Sequence, residues 1–98
     1  MCIRDRVRRF DAVVLPGVFH VAPRTDEPDT IPRHTTESAC PIFNLTGHPA
    51  ACVPTGFDRD GLPLNAQIVG RYLDEATVLR IGAAYEAATP WRARRPTL

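Results

Sequence analysis

The sequence predicts an α/β fold of about three strands and two helices, and three observations carry that expectation. Within Phe10 to Pro16, an unbroken β-branched and apolar run covers Ala12 to Pro16. Two further apolar runs flank the polar turn Asp58-Arg59-Asp60-Gly61. After Asp74, the residues Val78, Ile81, Gly82 and Tyr85 recur at helical spacing. With 98 residues the chain fits one domain at most, and 44% hydrophobic content gives it the means for a modest core.

Residues 1–9 are polar and basic, and Met1-Cys2-Ile3-Arg4-Asp5-Arg6 resembles translated adapter sequence. They are set apart as a foreign extension, and residues 10–98 carry the fold. Phe10 to Pro16, closed by Pro16-Gly17, suits a strand covered on both faces, with neighbours on each side that the rest of this chain hardly supplies. From Gly17 to about Thr35 the chain holds Pro23, Pro28 and Pro32, alternating charges and no clear period. That stretch reads as a long mobile connection, able to cross a substrate entrance.

A short helix is expected over Glu37 to Leu45, with Thr35 or Thr36 as its cap, Glu37 at its positive end and Pro41 in its first turn. Gly47 and Pro49 end it. Ala51 to Phe57 reads as the second strand and Leu62 to Gly70 as the third, with Gly61 free to take positive φ in the hairpin between them. Pro54 and Pro63 lack amide donors and belong at an edge, a bulge or a strand start. The last helix runs from Glu75 to Ala88 behind the N-cap Asp74, with Leu79 and Ala83 beside its core face, and Thr89-Pro90 stops it.

Composition excludes several functions. A net charge of +1 gives no reason to expect a nucleic-acid or membrane partner. The arginines clustered near both ends have no aromatic residues interleaved for base stacking, so they read as solvated termini. No apolar run approaches the ~20 residues of a membrane span, and no signal-peptide core is present, so a cytoplasmic setting is expected. Cys2, Cys40 and Cys52 are odd in number and lack metal-ligand spacing, so no disulfide framework is expected. Cys52, among Ala50, Ala51 and Val53, reads as a small buried apolar group.

Other chemistries are weighed and set aside. Cys40 with His48 suggests a thiol and its base, but their spacing says nothing of contact. His20, His34 and His48 with Asp26 or Glu37 match no familiar ligand pattern, and no metal site is expected. Asp58 and Asp60 are explained by turn chemistry without calcium. Asn44 and Gln67 read as shapers of the fold, Gln67 needing hydrogen-bond partners if buried.

Taken in order, Asp11 to Pro16, Phe43-Asn44-Leu45-Thr46-Gly47-His48-Pro49-Ala50, Val53 to Phe57, Gly61 to Gly70, the helix led by Asp74-Glu75, and Trp91 resemble the C-terminal part of the amidase signature family. The resemblance covers most of Phe10 to Pro96. It implies a large mixed sheet flanked by helices, to which this chain contributes its C-terminal piece, an incomplete amidase domain over residues 10–98. It also implies hydrolysis of carboxylic amides without metal or organic cofactor. In that family a serine attacks the amide carbonyl, a second serine passes the proton to a lysine, and backbone amides hold the oxyanion. This chain has no lysine, and Ser38 is its only serine. No catalytic residue carries over, and the chain alone is expected to be inactive, its partner being the missing N-terminal part of the enzyme.

Glutamine-using subunits of tRNA-dependent amidotransferases place an aspartate seven residues before the aligned asparagine, where it holds the substrate's α-amino group. Here Glu37 stands seven before Asn44. Glu37 and Phe43 are therefore the candidate substrate-binding residues, with the loop from Val18 to Arg33 as a further wall. The competing reading of Glu37 is a helix N-terminal charge. Two alternatives stand beside the amide hydrolase: the A subunit of an amidotransferase, feeding ammonia to a charged tRNA partner, and a small non-enzymatic α/β interaction module.

Overall fold

The computed structural model describes residues 8–95. A three-stranded antiparallel sheet has the order β1-β3-β2, with β1 at Ala12–Pro16, β2 at Ala50–Phe57 and β3 at Pro63–Gly70. Three helices accompany it: α1 at Ile31–Thr36, α2 at Cys40–Thr46 and α3 at Glu75–Ala88. Short 3-10 turns lie at Pro28–Thr30 and Trp91–Ala93.

The hairpin forms from local chemistry. Asp58 Oδ1 accepts from the Asp60 and Leu62 amides at 2.9 and 2.8 Å, which folds the turn back on itself. Gly61 completes it at φ 81°, a conformation that a side chain would strain. The register shifts between Pro54 and Gly56, so Pro54 sits at a bulge on an edge strand, while Pro63 starts β3. Both prolines are where a missing donor does no harm.

Strand pairing decides what faces what. Ala51, Val53, Ala66, Ile68 and Ala12 point to one face, where Val78, Ile81 and Tyr85 of α3 meet them. Val53, Ile68 and Val78 are the centre of that core. Helix α3 begins where expected, with the Asp74 carboxylate accepting from the Thr77 amide at 3.3 Å. The opposite face carries Val13, Leu15, Cys52, Asn65, Gln67 and Val69, set by the same pairing.

Several expectations change. Strand β1, which has one neighbour among the described residues, is not covered on both faces: Val14 is 62% exposed, because α3 packs on β2 and β3. Glu37 is not at the start of a helix: it is the C-cap of α1, its amide donating to Arg33 O. Thr35 and Thr36 close that same helix, their hydroxyls donating back to Pro32 O. Helix α2 starts later, at Cys40, with Pro41 in its first turn. Cys52 is exposed, since it lies on the edge strand, on the face that α3 does not cover. The stretch from Gly17 to Thr35 holds a helical segment in place of an irregular connection throughout. Met1 to Val7, most of the proposed extension, lie outside the described residues.

Gly47 does end α2 in the left-handed conformation, φ 72°, its amide donating to Phe43 O. Among the described residues no helix is long and apolar enough to cross a membrane.

Candidate functional site

Of the predicted site residues, Glu37 lies beside the chain that leaves β1. Gly17 O accepts three donors: the Ala39 amide at 2.9 Å, the Ser38 hydroxyl at 3.0 Å and the Cys40 thiol at 3.5 Å. Val18 bridges Ser38, and the Phe19 amide donates to Glu37 O at 3.3 Å. Residues 17–20 and 37–40 therefore run side by side, and the start of α2 is tied to the end of the strand. Ser38, the only serine, spends its hydroxyl on this tie and also accepts from the Cys40 amide at 3.2 Å.

Glu37 sits between two basic groups. One carboxylate oxygen pairs with His20 Nε2 and the other accepts from Arg33 Nε at 2.9 Å. His20, first, and Arg33 hold the Glu37 carboxyl below the usual glutamate range. Both His20 and Glu37 are about one-third open to solvent, at 35% and 40% side-chain exposure, so screening weakens the charge contribution. Phe43 lies in the middle of α2 and is buried. Sequence reading named Glu37 and Phe43 as candidates and did not foresee His20 as the ion-pair partner of Glu37. Only the Arg33–Glu37 spacing, four apart on one helical turn, is a legible signal.

The candidate thiol–imidazole pair separates. Cys40 belongs to the Gly17 cluster, whereas His48 Nδ1 bonds Thr46 Oγ1 at 2.9 Å and its ring meets Tyr72 edge-on at 6.1 Å. Burial first, and then Cys40, push the Cys52 thiol up from its ordinary value. Among the described residues no three His, Cys, Asp or Glu side chains group to hold a metal ion. Gln67 is buried at 3% exposure, and its Oε1, like Asn65 Oδ1, has no donor among the described residues.

A concavity of about 800 Å³ lies beyond the hairpin, between Phe57, Leu62, Trp91 and Arg94. Trp91 meets Phe57 edge-on at 6.2 Å, and the Arg94 guanidinium stands 4.1 Å over the Phe57 ring. Gly56, at φ 142°, lets the Trp91 ring come to 3.9 Å of where a Cβ would be. These contacts hold Trp91 and Arg94 against β2.

With this geometry in view, comparison with known proteins is direct. The sequence model of the amidase family matches residues 2–79, and the chain belongs to that family. The A subunit of the glutamyl-tRNA(Gln) amidotransferase of Halalkalibacterium halodurans is 38% identical over 94 residues, covering 92% of this chain and 19% of that protein. A Mycobacterium bovis protein named AmiB2 and assigned to the amidases is 56% identical over 57 residues, 58% of this chain and 12% of that protein. The crystal structure of the A subunit of the glutamyl-tRNA(Gln) amidotransferase of Thermotoga maritima superposes with a TM-score of 0.77 at 30% identity, over 89% of this chain and 19% of that one. The sheet and its helices match the C-terminal piece of that amidase-fold neighbour. The chain spans between about an eighth and a fifth of the length of these relatives.

Proposed function

We propose that this chain serves as the C-terminal part of an amide hydrolase acting on the carbon–nitrogen bonds of carboxylic amides, with residues 10–98 closing an amidase domain in a cytoplasmic enzyme. The observation that carries the reading is the family match over residues 2–79. The composition supports a division of labour: one serine, engaged at Gly17 O, and no lysine leave the nucleophile and its proton acceptor to the rest of that domain. The surface supports it as well. Phe10, Val14, Phe19, Leu45, Tyr72, Leu73 and Leu79 are each more than half exposed, and two buried amide oxygens have no donor among the described residues. In this reading Glu37 offers its carboxylate to a cationic group of a small-molecule amide, and Phe43 helps to wall the site.

A second reading, the A subunit of a glutamine-hydrolysing tRNA-dependent amidotransferase, has its own support. Relatives carrying that name from Halalkalibacterium halodurans and Brevibacillus brevis align over about nine-tenths of the chain, while that of Chloroflexus aggregans covers 57%, close to the 58% of AmiB2. One experiment separates the outcomes. The chain alone, and the chain joined in frame to the genomic sequence upstream of Val7, are assayed for ammonia release from small carboxylic amides. The expected result is no release from the chain alone and release from the joined protein, lost when its upstream lysine is replaced. Turnover by the chain alone that vanishes with Cys40→Ser overturns the proposal. Hydrolysis confined to glutamine and dependent on a tRNA-binding partner selects the second reading.

A further inference from the structure

Two thiols from different elements arrive at one residue. Cys40 opens α2, and its Sγ lies 3.5 Å from Gly17 O. Cys52 is on β2, and its Sγ lies 3.3 Å from where a Cβ on Gly17 would stand. Neither approach is loose. The Ala39 amide and Ser38 hydroxyl also hold Gly17 O, at 2.9 and 3.0 Å, so the first residue of α2 cannot drift from the strand end. Gly17 leaves the room that the Asn65 amide and Cys52 Sγ occupy, for a Cβ there would come within 2.1 Å of Asn65 Oδ1 and 3.3 Å of that sulfur.

The two groups also sense each other. After burial, the charge and hydrogen bond of Cys40 are what raise the Cys52 thiol. Two thiolates in this place repel, whereas a sulfur–sulfur bond carries no charge. Cys52 is exposed, which gives a small oxidant a way in.

We propose that Cys40 and Cys52 are a modification site, a dithiol that small-molecule disulfides such as oxidised glutathione convert reversibly to an intrachain disulfide. One protein thiolate attacks the glutathione disulfide, forming a mixed disulfide and releasing one glutathione thiolate. The second protein thiolate then attacks the protein sulfur of that mixed disulfide and expels the other glutathione. Two protein thiols are oxidised, one small disulfide is reduced to two thiols, and the two protons lost by the protein end on the glutathiones. The product staples α2, which carries the buried Phe43, to the edge strand β2. A reducing compartment keeps the pair open, and an oxidising shift closes it.

The test uses the full chain carrying Cys2→Ser, so that only the two thiols in question remain. It is incubated with excess oxidised glutathione, then measured by intact mass and peptide mapping. The expected product is lighter by two hydrogens, yields a cross-linked Cys40–Cys52 peptide, resists alkylation by iodoacetamide and reverts with dithiothreitol. Adding Cys40→Ala or Cys52→Ala leaves a single glutathione adduct and no cross-link. A stable glutathione adduct on either thiol of the parent, cross-links only between chains, or two unreacted thiols would each overturn the proposal.

Discussion

Gly70 and Val78 touch where β3 passes beneath α3: a Cβ on Gly70 would stand 2.5 Å from Val78 Cγ2 and 3.2 Å from the Asp74 carbonyl oxygen. The helix packs on the bare backbone of the strand, and the Gly70 amide donates to Pro49 O at 2.9 Å. Neither the carbonyl nor the buried valine has room to retreat. Gly70→Ala is therefore expected to cost about 1–3 kcal/mol. Faster amide hydrogen exchange through β3 and α3 would register it; unchanged exchange would show that the helix moves away freely.

Gly82 presents the opposite case. It lies inside α3, and a Cβ there would meet Val53 Cγ1 at 3.9 Å, an ordinary contact. Glycine weakens a helix interior by roughly 0.8–1.0 kcal/mol relative to alanine. Gly82→Ala should stabilise the protein by about that amount, read as slower exchange in α3 and a higher unfolding midpoint.

Ile68 and Leu79 test where the core is. Ile68 is 2% exposed between Val53 and Val78, so Ile68→Ala should cost about 2–5 kcal/mol. Leu79 is 67% exposed, and Leu79→Ala should change stability by no more than about 0.5 kcal/mol. Equal losses at both positions would mean that the face carrying Leu79 is covered in solution.

Acid should loosen the tie at Glu37. Its folded-state pKa lies below the ordinary value of 4.5, so its contribution is complete above that value and fades as pH falls through the lower, folded one. Protonation weakens both the His20 and the Arg33 contacts. Protection of the Phe19 amide, which donates to Glu37 O, should fall over the same acidic window. Glu37→Gln should have weaker protection at neutral pH and a flat response below it. A side-chain NMR titration of Glu37 with its midpoint at or above 4.5 would contradict this.

What the sequence revealed follows how local each cause is. The hairpin was legible because Asp58 and Gly61 act within their own turn, and α3 because Asp74 caps it from its own N-terminus. Gly47 announced the end of α2 for the same reason. The start of α2 was misplaced at Glu37, although Pro41, which fits only a first turn, favours the start at Cys40 that the structure has. The edge position of β1 was not, since Val14 looks like a core residue until the path of α3 is known. For the candidate site, Glu37 and Phe43 were visible as a pattern. The contacts that place them join Gly17 to Ser38 and His20 to Glu37 across long stretches of chain, and no local spacing encodes such pairs.

The order β1-β3-β2 has a consequence for how the protein is made. Ala12 finds its partner in Gly70, and β2 forms its ladder on the other side of that same strand. During synthesis β1 must therefore wait until β3 has emerged before it meets its partner in this sheet. The middle strand is the last of the three to be translated, so neither of its neighbours can pair within this sheet before it arrives.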